Sequence, residues 1–309
     1  MIGCGAVGSL FGANLGTLDD VEVWAYDPWA EHVDAINANG LRLSGAGDVV
    51  GHVRATTDPA ELPACDFGIV ATKSMHTSAA LAASAHAFEH GAVCSVQNGA
   101  GNEELVAEHV AHVIRGTTFP AGHIVEPGHV GWDTKGDTHI GPFEPQPATM
   151  EQVRELADAC TRGGMPTHAL EDARGAQWRK LIFNATVNTV SALTDLPHVG
   201  AFAARDLPGD LGHLVHDLMD EGKAVAAAAG VELHEDPWEM NVHAVKKGET
   251  LAAEGQYAHV PSMLEDVRAR RPTEIDFITG ALVREAERLG VPVPLHTAMY
   301  RLIKARESA

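Results

Sequence analysis

The sequence predicts two domains: an α/β domain on a parallel sheet over residues 1–172, then an all-α domain over 173–309. Three observations carry this. Short apolar strands alternate with helical segments through the first half, the pattern of a parallel sheet with crossover helices. From about Gly175 onward only helical periodicity remains. With 309 residues, 45% of them hydrophobic, the chain is long and apolar enough for two cores.

The first element is Gly3-Cys4-Gly5-Ala6-Val7-Gly8, followed by a helical run from Ser9 to Leu15. Gly3, Gly5 and Gly8 fit G-x-G-x-x-G, in which glycines permit a tight turn and let backbone approach a pyrophosphate. The amino terminus of the next helix, at Ala6 and Val7, then offers N–H groups and a positive dipole end. The segment Val21–Tyr26 reads as the second strand, and Asp27 closes it. An acid about 20 residues beyond the glycines suits the ribose 2′ hydroxyl of NAD; a turn or helix cap before Pro28 is the alternative. The first half is therefore expected to be a Rossmann-type dinucleotide-binding domain. Only Met1 and Ile2 precede the first glycine, fewer apolar residues than a central strand usually supplies. Either the first strand is short or the start codon lies upstream of Met1; the second is the expectation, so that added in-frame residues would raise the melting temperature.

Phe67–Ala71 reads as a buried strand ending at Thr72-Lys73, and Ala92–Val96 as another ending at Gln97-Asn98-Gly99. Ligands of such a sheet lie at the carboxyl ends of strands, where Lys73 and Asn98 stand; a plain turn is the alternative for Asn98-Gly99. Thr77–Glu89 and Glu103–Val113 are predicted helices, and Thr117–Ala121 begins an antiparallel addition running through His139-Ile140-Gly141.

In the second half, Asp210–Ala229 carries apolar residues at helical spacing with Gly230 as the stop. Thr273–Leu289 does the same, with Pro272 suited to its first turn and Glu274 complementing its dipole. Ser262 precedes Met263-Leu264 and could cap a helix. The most informative segment is Trp178–Asn188. Lys180, Asn184 and Asn188 lie four apart, on one face at about 3.6 residues per turn. Leu181, Ile182, Phe183, Val187, Val190 and Leu193 leave little of this helix to face water. Polar groups in that setting cost free energy unless something pairs with them, and asparagine is a poor helix former. A helix with one solvent-facing side is the alternative; the stripe predicts a polar ligand, with Lys180 able to give or take a proton.

Composition excludes several classes. A net charge of −20 opposes a nucleic-acid partner. No run of about 18 apolar residues suggests a membrane span, and nothing reads as a secretory leader, so a cytoplasmic protein is expected. The cysteines Cys4, Cys65, Cys94 and Cys160 form no C-x-x-C pair and read as reduced thiols. His109/His112 and His213/His216 have helical spacing, but no carboxylate or cysteine completes a metal set. A homodimer is compatible with the sequence and not fixed by it.

Glycine loop, strand-end residues and a helix bearing Lys180 together suggest a pyridine-nucleotide reductase. In this reading Lys180 is the acid for a carbonyl becoming an alcohol, and Asn184, Asn188 and Ser262 hydrogen-bond substrate oxygens. Over nearly its whole length the chain resembles the ketopantoate reductase (2-dehydropantoate 2-reductase) family. The carriers are Gly3–Ser9, Asn37–Leu43, Gln97–Glu104, Trp178-Arg179-Lys180 with Asn184 and Asn188, Pro261–Asp266 and Arg271–Asp276. The resemblance implies Lys180 as catalytic acid and Asn184, Asn188 and Ser262 as substrate-binding residues. It implies Lys73, Asn98 and Glu274 as cofactor contacts, Glu274 reaching in from the helical domain, and a backbone contact at Ala121 near the nicotinamide. The implied reaction is reduction of 2-dehydropantoate to (R)-pantoate, towards coenzyme A. Two departures stand out. Where the family usually places an arginine for the 2′ phosphate of NADPH, this chain has Tyr26-Asp27-Pro28-Trp29; Asp27 would repel that phosphate, so NADH is expected over NADPH, the family norm. His198, after Leu196-Pro197, stands where a further substrate asparagine is typical, which opens the alternative of an NAD-dependent D-2-hydroxyacid dehydrogenase acting on other branched 2-keto acids. A nucleotide-binding sensor would need Asp27 and the glycines but have no use for Lys180.

Overall fold

The computed structural model describes residues 1–205, 209–253 and 260–308. The chain divides into two compact units, Met1–Gln97 with Asn102–Ala173, and Asn98–Gly101 with Arg174–Ala309.

The first unit is built around the shortest of strands. Ile2 pairs in parallel with Tyr26 on one side and Val70 on the other. Its N–H donates to the Ile69 carbonyl at 2.8 Å, and its carbonyl accepts from the Ala71 N–H at 2.9 Å. Helix α1 (Ala6–Leu15) follows, then β1 (Trp24–Tyr26), α2 (Ala30–Asn39), β2 (Leu41–Gly45), β3 (Val49–Gly51), β4 (Arg54–Thr56), β5 (Phe67–Val70), α3 (Thr77–Ser84), β6 (Ala92–Ser95), α4 (Asn102–Ala107), β7 (Val113–Thr118), β8 (Ala121–Glu126), β9 (His129–Thr134), β10 (Thr138–Pro142), α5 (Met150–Arg162) and β11 (Thr167–Ala169). The main sheet runs β4–β1–Ile2–β5–β6–β7–β10–β11. It is parallel except where β10 meets β7. The order reverses at Ile2, the doubly wound Rossmann topology, whose ligands bind beyond the carboxyl ends of the strands at that switch point. Alternate strand residues face opposite sides. Ile69, Cys94 and Ile114 accordingly join the core under α1, with Leu10 and Phe11. Their neighbours Val70, Val93 and Val113 join Leu81 and Phe143 in the other.

Three features differ from expectation. The second strand begins at Trp24 rather than Val21. The predicted helix Glu103–Val113 stops at Ala107. Val113 and Ile114 are instead drawn, fully buried, into β7, where β-branched residues fit a pleated two-sided core. The antiparallel addition is larger than the sequence indicated: a second sheet, β3–β2–β9–β8, joins strands from both ends of the unit, with β2 and β9 parallel.

The second unit contains α6 (Arg174–Thr194), α7 (Asp210–Ala228), α8 (Pro237–Ala253), α9 (Ser262–Arg268), α10 (Thr279–Leu289) and α11 (Pro294–Glu307). Helix α6 is its axis, meeting α7, α8, α9, α10 and α11. Its Ile182, Ala185, Val187 and Val190 are buried with Val215, Leu218, Met219, Ile275, Ile278 and Leu282. The predicted helix Thr273–Leu289 begins only at Thr279, so Pro272 and Glu274 lie outside it and dipole complementation is not Glu274's role. The cause is tertiary. Asp276 accepts from the Tyr300 hydroxyl at 2.7 Å and the Lys304 ammonium at 2.9 Å. Thr273 donates its N–H and hydroxyl to Glu307 at 2.8 and 2.7 Å. These bonds to α11 hold residues 273–278 as a turn. Ser262 is likewise not a cap: it is the first residue of α9, and Pro261 occupies the capping position.

Candidate active site

The glycine loop is set by packing at two positions and left open at a third. Gly3 has φ +84°, and a Cβ there would meet Thr72 at 2.7 Å. A Cβ on Gly8 would meet the Gly3 carbonyl oxygen at 2.1 Å, so helix and loop can approach only without a side chain. Gly5, the N-cap of α1, has nothing within 4 Å of its Cβ position. The first turn of α1 follows at Ala6 and Val7, whose N–H groups have no carbonyl within the helix to bind. The arrangement fits a pyrophosphate held by backbone N–H groups and the helix dipole. Cys4 within the loop is fully buried, and burial pushes its thiol up to about 11, so it stays protonated.

Asp27 stands at the end of β1. One carboxylate oxygen accepts from the Cys4 N–H at 2.8 Å and the other from the Trp29 N–H at 3.0 Å. The second bond is the turn expected before Pro28; the first ties the acid to the glycine loop. A carboxylate offers about four acceptor sites, so two bonds leave room for a ribose hydroxyl. Within reach of the Asp27 charge lies His32, buried in α2, whose Nδ1 accepts from the Gly128 N–H at 3.0 Å. Protonation would put a second N–H against that donor, and burial also lowers the His32 pKa. His32 therefore stays neutral beside Asp27.

Lys73 is half-buried just beyond β5, where the chain turns into a short 3-10 segment. Gln97, at the end of β6, donates to the Thr72 carbonyl at 2.9 Å and to the Thr77 hydroxyl at 2.7 Å. It thus fixes the two strand ends together, a structural duty that its place in the resemblance did not reveal. Ala121 begins β8 and is half-buried.

In the second unit, Lys180, Asn184 and Asn188 share one face of α6 as their spacing requires. Asn184 and Asn188 are buried, and Lys180 is half-buried. Burial lowers the Lys180 ammonium from 10.5 to about 8, against the field of Glu274, which raises it. Glu274, itself buried, is carried by the turn that α11 holds. Burial alone would raise Asp276 in that turn, but the Tyr300 hydroxyl and Lys304 ammonium outweigh it and keep the carboxyl below its ordinary range. The short segment Asn98–Gly101 rests on the same turn. The Ala100 N–H donates to the Phe277 carbonyl at 2.9 Å, and a Cβ on Gly99 (φ +94°) would meet that oxygen at 2.2 Å. Asn98 Oδ1 lies 3.5 Å from Asn184 Nδ2. The fold thus brings together Lys180, Glu274, Asn98 and Asn184.

His198 is buried between the rings of Phe183 and Phe202, each edge-on with centroids 5.6 and 5.3 Å away. Its Nε2 lies 2.8 Å from Asn241 Oδ1, and Asn241 Nδ2 donates to the Phe202 carbonyl at 3.0 Å. That carbonyl can only accept, so the Asn241 amide is oriented and His198 must carry its proton on Nε2. Asn241 was not legible in the sequence: a lone asparagine on α8 carries no signal. Ser262 heads α9, which packs on α6.

The chain matches two family models, ketopantoate reductase PanE/ApbA over residues 1–145 and ketopantoate reductase PanE/ApbA C terminal over residues 172–307. It is 31% identical to a 2-dehydropantoate 2-reductase from Pyrococcus abyssi (strain GE5 / Orsay), across 100% of this chain and 97% of the relative. Among solved structures it is similar to a PanE/ApbA family ketopantoate reductase from Ralstonia eutropha JMP134, with TM-score 0.81 and 30% identity over 99% of this chain and 97% of that one. It is also similar to a D-mandelate dehydrogenase in ternary complex with NADH and anilino(oxo)acetate, with TM-score 0.83 and 26% identity over the same shares. With both halves matched and a full-length relative, the chain belongs to the ketopantoate reductase family.

Proposed function

We propose that the protein is a 2-dehydropantoate 2-reductase that uses Lys180 as its general acid. The observation that carries this is a lysine with its ammonium lowered to about 8, on one helical face with two buried asparagines and beside Glu274. A pKa near the working pH favours general acid catalysis. A bound nicotinamide dinucleotide supplies the hydride. Lys180 Nζ donates its proton to the carbonyl oxygen, is left as a neutral amine, and regains a proton from water. Asn184, Asn188 and Ser262 hold substrate oxygens and fix the carbonyl's orientation. Glu274 keeps Lys180 charged despite its desolvation and, with Lys73, Asn98 and the backbone at Ala121, serves the cofactor. Gly3, Gly5, Ala6, Val7 and Gly8 hold the pyrophosphate.

Asp27 supports NADH over NADPH. Its carboxylate is tied to the glycine loop through the Cys4 N–H, and nearby His32 stays neutral, so neither residue offers a cation to a 2′ phosphate. The cytoplasm is the proposed location; among the described residues no helix is long and apolar enough to cross a membrane.

A second reading is favoured by one observation. His198 replaces a typical asparagine and is flanked by Phe183 and Phe202, surroundings suited to a bulkier, less polar 2-keto acid. Initial rates with 2-dehydropantoate, 2-ketoisovalerate and 2-ketoisocaproate, each with NADH and NADPH, decide both questions. The highest kcat/KM with 2-dehydropantoate and NADH supports the first reading. A clear preference for another keto acid supports a D-2-hydroxyacid dehydrogenase, and no turnover with any sinks both.

A further inference from the structure

We propose that Trp29 is the platform on which the adenine ring of the dinucleotide stacks, with His32 as its fixed backing. The inference rests on the dinucleotide reading above. Tryptophan is 38% exposed here, although large aromatic rings are normally drawn inside. Its indole lies parallel on the His32 ring, with centroids 5.0 Å apart and 7° between the planes. One face is thus occupied, which leaves the opposite face as the exposed one.

The backbone that carries the ring is held before any ligand arrives, and the ring itself rests on His32. The Trp29 N–H is bonded to Asp27, and its carbonyl accepts from the N–H groups of His32 and Val33, both at 3.1 Å. His32 is 1% exposed and is oriented through Nδ1 by the Gly128 N–H. A rigid aromatic surface loses little conformational freedom on binding, so most of its stacking energy reaches the complex.

Position names the occupant. A ribose on Asp27, with its phosphates toward the glycine loop, directs the base away from that loop, past the end of β1. Trp29, two residues beyond Asp27, is the aromatic surface there. Every purine presents a π-face, so stacking needs no hydrogen-bond partner, and Ala substitution under a stacked base costs about 1–3 kcal/mol. Trp29 and Asp27 would then divide the adenosine end between them, one binding the base and the other discriminating at the ribose.

The test is calorimetric titration of the full chain with ADP-ribose, alongside turnover with reduced nicotinamide mononucleotide, which has no adenine. Trp29→Ala and Trp29→Leu should weaken ADP-ribose by roughly 5–150-fold, the stacking range above expressed as affinity. Trp29→Phe should restore most of it. The KM for NADH should rise in parallel, with kcat at saturation and mononucleotide turnover unchanged. ADP-ribose binding that is equal in wild type, Ala and Leu overturns the platform while leaving the reductase reading intact. So does a Leu variant that binds as well as Phe, because bulk without a π-face would then suffice. A wild-type protein that binds neither ADP-ribose nor NADH overturns both.

Discussion

The alkaline limb of the pH–rate profile is where the Lys180 argument is most exposed. The profile of kcat/KM reports groups of the free enzyme, and burial sets Lys180 at about 8 there. The acid must be protonated to reduce a carbonyl. With a pKa of about 8, the protonated fraction is about nine-tenths at pH 7 and about one-tenth at pH 9, so kcat/KM should fall about tenfold between them. An unshifted lysine would give no fall before about pH 10. In the reverse direction Lys180 must be neutral to take a proton from the alcohol, so the same group should make the rate rise through pH 8. Glu274→Gln removes the field that raises Lys180, so both limbs should move to lower pH. Each unit of that movement corresponds to about 1.4 kcal/mol of lost interaction. Lys180→Ala should abolish the limbs and lower kcat by about 10²–10⁴. The assay is initial-rate absorbance of the reduced nicotinamide in both directions across pH 6 to 10. A flat profile between pH 7 and 9.5, or a limb unmoved in Glu274→Gln, would refute the assignment.

Three further outcomes follow from the geometry. Gly5→Ala should leave the melting temperature unchanged yet abolish dinucleotide binding, whereas Gly8→Ala, whose Cβ would strike the Gly3 carbonyl oxygen at 2.1 Å, should destabilise by about 1–3 kcal/mol in a thermal melt; equal melting temperatures for the two would contradict the loop argument. Asp27→Asn keeps an acceptor but loses the charge, and the NADH-to-NADPH ratio of kcat/KM should fall by about fivefold or more, given about 1–4 kcal/mol between charges at contact; an unchanged ratio counts against Asp27 as the discriminator. Asn241→Leu leaves the buried His198 Nε2–H unmet, and a loss of about 1–3 kcal/mol is expected in denaturant unfolding, with a shift in relative kcat/KM among the three keto acids; the same preference in both proteins would mean that His198 does not read the substrate.

What the sequence determined alone is what short-range physics writes into it. The glycine spacing at Gly3, Gly5 and Gly8 answers to steric contact within one turn. The Lys180–Asn184–Asn188 stripe follows from helical periodicity in a strongly apolar segment. The change from alternating elements to helices near residue 174 is a change of period that needs no tertiary knowledge. The tertiary structure decided what depends on partners distant in the chain. Residues 103–113 read as one helix until burial against the sheet claims Val113 and Ile114 for β7. Residues 273–278 have helical periodicity, but Glu307, Tyr300 and Lys304, 24 to 34 positions away, hold them as a turn. That turn sets Glu274 beside Lys180 instead of at a helix end. His32 is oriented by Gly128 and His198 by Asn241, across 96 and 43 positions. Each of these long bonds forms only after the core has brought its two segments together, so neither segment's own sequence records it.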